Sequence, residues 1–192
     1  MEKILFINAC VRENSRTLEL ARCILDKLNG EMGEINLEQE NLKPIDGNVL
    51  EKREHLVSEH NFSDGMFHYA KEFAAADTIV IAAPYWDLAF PALLKIYLEQ
   101  ITVCGITFRY KKGIPQGLCR AKRLIYVTTA GGTIYDNFGF EYVKALAQKL
   151  YGIDEVMFFK AENLDIDGND VNDILRMAKY DAEKILRGGI VI

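Results

Sequence analysis

The sequence predicts a three-layer, doubly wound α/β domain on a five-stranded parallel sheet, and three observations carry that prediction. Apolar runs alternate with amphipathic segments along nearly the whole chain. Runs such as "DTIVIAAP" are continuous and rich in β-branched residues, which marks strands covered on both faces. No internal repeat and no linker rich in Pro, Gly or Ser divides the chain, so residues 1–192 read as one domain.

The elements follow in order. "KILFINA" (3–9) is a strand, "TLELARCILDKLN" (17–29) a helix and "EINLEQE" (34–40) a shorter strand. Residues 41–63 are rich in charge and read as a long polar connection. A helix over about 64–75 leads into the strand at 77–84, and "ALLKIYLEQITVCG" is the next helix. "AKRLIYVTTA" is the fourth strand, "FEYVKALAQKLYG" a helix closed by Gly152, and "DEVMFFKA" the fifth strand. A last helix runs from about Asp170 to Arg187 and ends at Gly188 and Gly189. Strand, helix, strand in succession demands right-handed crossovers and hence parallel pairing. In the strand order 2-1-3-4-5, ligands sit beyond the carboxyl ends of strands one and three. The loops after Ala9 and Ala83 are therefore the ones to inspect.

Composition narrows the function. The 23 Lys and Arg against 28 Asp and Glu give a net charge of −5, and no basic run is long enough to follow a phosphate backbone, so nucleic acid is excluded as a partner. No apolar segment approaches the ~18 residues that span a bilayer, and the N-terminus lacks a signal-peptide pattern, so a cytoplasmic protein without membrane insertion is expected. Cys10, Cys23, Cys104 and Cys119 form no C-x-x-C pair, and His55, His60 and His68 lack zincin spacing. No metal site is expected. Cys23 and Cys104 read as small core filler on helices, and the histidines as solvated positions. A G-x-S-x-G elbow is missing too, which argues against hydrolysis.

What remains is three loops. The first, "CVRENSRT" (10–17), has no G-x-G-x-x-G and no Walker lysine, but it places Ser15, Thr17, Arg12 and Arg16 at a helix start. Free N–H groups and the positive end of the helix dipole would make this a phosphate cradle; a plain Ser15 helix cap is the alternative. The second, "APYWDLAFP" (83–91), carries Tyr85, Trp86, Leu88 and Phe90 where connections are normally polar. The third, "TTAGGTIYD" (128–136), offers a Thr129 hydroxyl, a glycine pair suited to positive φ and close approach, and Tyr135 at its edge. A flat heteroaromatic ring with a phosphate tail satisfies all three.

At these residues the sequence resembles the FMN-dependent NAD(P)H oxidoreductases of flavodoxin-like fold, which include azoreductases and quinone reductases. "ACVRENSRTLELA" is similar to the family's phosphate loop with S-x-[ST], and "PYWDLAFPALLKIYLEQI" to its P-x-[YW]-[ND]-x-x-x-P-x-x-L-K segment. "GITFRYKKGIPQGL" resembles its G-x-T-F-x-Y turn, "TTAGGTIY" its glycine-pair loop, and "YGIDEVMFFKAENL" its fifth strand and A-E-[GN]-L exit. The resemblance runs from about residue 3 to residue 186.

It implies that Ser15, Arg16 and Thr17 hold the FMN phosphate, with Cys10 where Ser is common. Pro84, Tyr85, Trp86, Asp87 and Leu88 would frame the isoalloxazine, with Asp87 where Asn is frequent. Thr129, Gly131, Gly132 and Tyr135 would line its pyrimidine side, Tyr135 also as a candidate catalytic proton donor. NADH or NADPH would reduce the flavin, and a quinone, azo compound or similar small acceptor would then take two electrons in ping-pong fashion. The resemblance further implies a homodimer in which Phe108 and Tyr110 wall the partner subunit's site. Two readings from other classes stay open: a flavodoxin-like electron carrier, and a cofactor-free interaction module that buries "YWDLAF" against a partner.

Overall fold

The computed structural model describes residues 1–188. Five parallel strands, β1 (Lys3–Asn8), β2 (Glu31–Asn36), β3 (Thr78–Ala82), β6 (Arg123–Thr129) and β7 (Glu155–Ala161), form one sheet in the order β2-β1-β3-β6-β7. This is the predicted 2-1-3-4-5 order, because β4 (Phe108–Lys111) and β5 (Ile114–Gly117) pair with each other as a separate antiparallel hairpin. Sequence reading took that stretch for a turn; Gly113, at φ 78°, supplies the tight reversal between the two strands.

Side-chain alternation explains the three layers. Leu5, Ile7, Ile79, Ile81, Leu124 and Tyr126 face one side, and Phe6, Val80, Ile125 and Val127 the other. The first set packs on α3 (His68–Ala75), α4 (Ala92–Ile101) and α5 (Phe138–Leu146), through Phe73, Tyr97 and Val143. The second packs on α1 (Arg16–Leu25) and α6 (Val171–Gly188), through Leu20, Ile24 and Leu175. Helices α1 and α6 are also tied by Lys179 to Glu19 at 2.5 Å and Lys27 to Glu183 at 3.1 Å.

Three boundaries differ from expectation, each for a physical reason. The second strand begins three residues earlier than read, at Glu31: it is an edge strand with only Ile35 buried, so its pairing with Lys3–Asn8 rather than any apolar period sets its register. The segment 41–63 contains α2 (Gly47–Ser58), capped by the Asp46 carboxylate accepting from the Val49 amide at 2.9 Å. Only Leu56 of α2 is buried, so no apolar stripe marked it. Cys104 lies beyond the end of α4, in a bridge to Phe108, and not on a helix. The C-cap at Gly152 stands as read, with φ 76°. The last helix reaches Gly188, and Gly189 lies outside the described residues.

Candidate functional site

Register brings the loops together. Asn8 pairs with Ala82, Ala82 with Val127 and Thr129 with Ala161, so the strands' carboxyl ends are level and the loops leaving them stand side by side. Between them opens a cleft of about 380 Å³, within the usual range for small-ligand sites. Ser15, Arg16, Thr17, Pro84, Tyr85, Trp86, Thr129 and Gly131 line it, as do Arg12 and the unpredicted Asn14, Leu164 and Asp165.

The first wall is the start of α1. Ser15 is its N-cap and accepts from the Leu18 amide at 3.3 Å. Thr17 is buried, and its hydroxyl shares a 2.6 Å hydrogen bond with that of Thr129, which fixes the helix start to the end of β6. Among the described residues, the amides of Arg16 and Thr17 find no acceptor in the chain. They face the free end of a helix, where an anion is favoured.

The second wall leaves β3. The Tyr85 amide bonds the Thr129 carbonyl at 3.0 Å, so the loop starts as an extension of the sheet, and the Tyr85 hydroxyl donates to the Asp136 carbonyl at 2.6 Å. Trp86 and Ala89 then close a tight turn through paired amide–carbonyl bonds, with Asp87 at φ 50° and Leu88 at φ 65°. Its central amides, Asp87 and Leu88, are free of acceptors among the described residues. The start of α5 supports this turn from behind: the Phe138 amide donates to the Leu88 carbonyl at 3.0 Å, and a Cβ on Gly139 would press within 3.0 Å of the Ala89 main chain.

The third wall is Ala130–Tyr135. Leu164 and Asp165 hydrogen-bond the Ala130 and Gly131 carbonyls at 3.2 and 2.8 Å, and the Glu162 carboxylate accepts from the Ile134 amide at 2.8 Å. Burial disfavours the charged form of Glu162, but the Lys160 ammonium and the Ile134 amide outweigh it and hold the carboxyl below its usual range. Neither Gly131 nor Gly132 adopts positive φ, contrary to expectation. What Gly131 provides is room: a Cβ there would overlap the Asp165 carboxylate, whereas nothing stands within 4 Å of one on Gly132.

Several anticipated residues stand apart from the cleft. Cys10 is buried beneath it with its thiol directed at the Ala82 carbonyl, 3.8 Å away, and burial pushes that thiol up to about 11. It is not among the residues that line the cleft. Asp87, Leu88 and Tyr135 belong to the rim; Leu88 is 50% and Tyr135 87% exposed. Phe108 is buried in its own chain, edge-on to Tyr110, because it is the first residue of the hairpin and packs beneath it; Tyr110 projects outward. No metal-binding cluster exists among the described residues, nor is any of their helices long and apolar enough to cross a membrane. The missed Asp165 directly follows "AENL", and an acid just past a strand's carboxyl end was the signal available.

Comparison with known proteins agrees with this geometry. A family model described as flavodoxin-like fold matches residues 2–186. An FMN-dependent NADH:quinone oxidoreductase of Lachnoclostridium phytofermentans is 33% identical over 193 residues, covering 95% of this chain and 96% of the relative. A second, from Clostridium acetobutylicum, is 33% identical over 190 residues, covering 92% and 94%. Among solved structures, an azoreductase from Bacillus anthracis superposes with a TM-score of 0.85 at 20% identity, over 98% of this chain and all of that one. A FMN-dependent NADH-azoreductase from the same species, in complex with FMN, gives 0.79 at 23% identity over 98% and 99%.

Proposed function

The chain belongs to the flavodoxin-like fold family together with FMN-dependent NADH:quinone oxidoreductases, and from that premise we propose that it binds FMN in this cleft and carries electrons from NADH to quinones, azo compounds or similar small acceptors. The observation that carries the reading is the convergence of main-chain amides that have no acceptor among the described residues: Arg16 and Thr17 at the helix start, Asp87 and Leu88 in the tight turn, and Gly131 and Gly132 opposite. FMN matches this set, with a phosphate for the first group and ring heteroatoms for the other two. When bound, FMN supplies the hydride-accepting chemistry.

The chain's own residues position and shield. Arg16, Ser15 and Thr17 take the phosphate end, where a charge-assisted bond to the guanidinium is the strong contact. Tyr85 and Trp86 supply apolar wall, and the Asp87 and Leu88 amides stand ready for negative charge at the reacting edge. The Tyr85 hydroxyl is committed to Asp136, whereas that of Tyr135 has no partner among the described residues and is available to give a proton to the acceptor. No side-chain nucleophile is required. The absence of a disulfide among Cys10, Cys23, Cys104 and Cys119 supports a reducing, cytoplasmic setting.

We read the 192 residues as one domain whose active unit is a homodimer. Trp86, Leu88, Tyr135 and Phe138 are 40, 50, 87 and 60% exposed around the cleft, a larger apolar rim than a solvated monomer needs. Tyr110 and Ile114, 61 and 69% exposed on the hairpin, add to it.

Titrating the apoprotein with FMN should give saturable fluorescence quenching at one site per chain, and anaerobic NADH should bleach the complex. A quinone should then restore the spectrum over many turnovers; stoichiometric oxidation without turnover would favour the electron carrier. Absence of saturable quenching would sink the cofactor assignment, and full turnover per flavin by a monomer in sedimentation would sink the dimer.

A further inference from the structure

The anion end of the cleft already holds an anion. Arg16 NH1 stands 2.6 Å from Asp165 Oδ1, across 149 residues of sequence. Both side chains reach the surface, but the main chain that carries the acid is fixed. The Asp165 amide is bonded to the Gly131 carbonyl and that of Leu164 to Ala130, so the acid's main chain is anchored to the opposite wall. Gly131 has no side chain in the space the carboxylate occupies. Both partners line the cleft with Ser15, Thr17 and Asn14.

We propose that Asp165 is a specificity-determining residue for the cofactor's phosphate: its carboxylate occupies Arg16, and an entering phosphate must displace it. The inference rests on the FMN reading above, and it concerns how strongly the phosphate is held. Seen by a phosphate monoester of about −1.5 to −2 charge, the Arg16–Asp165 pair is close to neutral. The attraction of the guanidinium is offset by a carboxylate at ion-pair distance from it. On binding, the phosphate oxygens replace Asp165 Oδ1 as acceptors of the Arg16 N–H groups, and the carboxylate turns outward. That movement is open to it, since its side chain is already 67% exposed and is rehydrated without burial cost. The arrangement makes the cleft less demanding of a phosphate than its arginine content implies, and it narrows the difference in affinity between FMN and riboflavin.

The test is Asp165→Asn, which keeps the size and the main-chain bond to Gly131 while removing the charge. Dissociation constants for FMN and riboflavin are measured by fluorescence quenching of the apoprotein at low and high salt. The expected result is FMN binding at least threefold tighter at low salt, a gain that shrinks as salt rises, with riboflavin affinity unchanged within twofold. Unchanged or weaker FMN binding in the variant would overturn the proposal, and so would an equal gain for riboflavin. If the unaltered protein itself fails to bind FMN, the cofactor reading falls, and this inference with it; if the unaltered protein binds FMN and only the variant's gain is missing, the competition alone is refuted.

Discussion

In the loop after β3, Asp87 and Leu88 take φ of 50° and 65°, whereas in the loop after β6 the adjacent Gly131 and Gly132 keep ordinary backbone. The two loops face one cleft, yet the left-handed conformation falls on the one without glycine. A tight turn with both central residues at positive φ is the geometry that Asn-Gly favours. Aspartate tolerates it; leucine pays roughly 1–2 kcal/mol. The turn survives because its surroundings over-determine it, through the Trp86–Ala89 bonds, the Phe138 amide on Leu88 and the close seat of Gly139. In the other loop glycine is needed for volume, at Gly131 alone. A glycine pair therefore signals either of two demands, and only the neighbours distinguish them.

This contrast can be tested by placing the same side chain at three positions. The largest effect is expected from Gly131→Val, which displaces Asp165 and fills part of the cleft: FMN affinity should fall by about 1–3 kcal/mol, read as fluorescence quenching. Leu88→Val comes next. A β-branched residue resists positive φ, so urea unfolding should show a loss of ~1–2 kcal/mol, while Gly132→Val, with open space and ordinary φ, should stay within ~0.5 kcal/mol of the parent. If Gly132→Val proves the more destabilising, the assignment of strain to the aromatic loop is reversed. Tyr85→Phe, which removes one hydroxyl bond to the Asp136 carbonyl, should fall between Leu88→Val and Gly132→Val, at about 0.5–1 kcal/mol by the same unfolding measurement.

Sheet order and the three cleft loops were legible in the sequence because buried parallel strands advertise themselves as unbroken apolar runs and ligand loops follow them. Helix α2 was not, since it buries Leu56 alone and its cap, Asp46, sits in a stretch already crowded with polar residues. The hairpin hid behind "KKG", which reads as a turn whether or not strands flank it. In the site, Ser15, Arg16, Thr17, Pro84, Tyr85, Trp86, Thr129 and Gly131, read from the positions of the loops together with the family resemblance, line the cleft. Cys10 lies apart because strand alternation continues two residues past β1 and turns its thiol inward. Asp165 was missed because its significance is a tertiary contact: its place just past a strand's carboxyl end was visible, but its partner 149 residues away was not.

The clasp between α1 and α6 bears on the order in which the fold closes. The helix whose start forms the anion end of the cleft precedes α6 by more than a hundred residues, yet Glu19 pairs with Lys179, and Lys27 with Glu183. Strand β7, at the sheet's far edge, and the loop that carries Asp165 are late in the chain as well. Until β7 and α6 have docked, the sheet lacks an edge strand and the cleft lacks Asp165. The pocket is complete only after contacts between residues far apart in the chain have formed, and α6 acts as the clip that closes the fold.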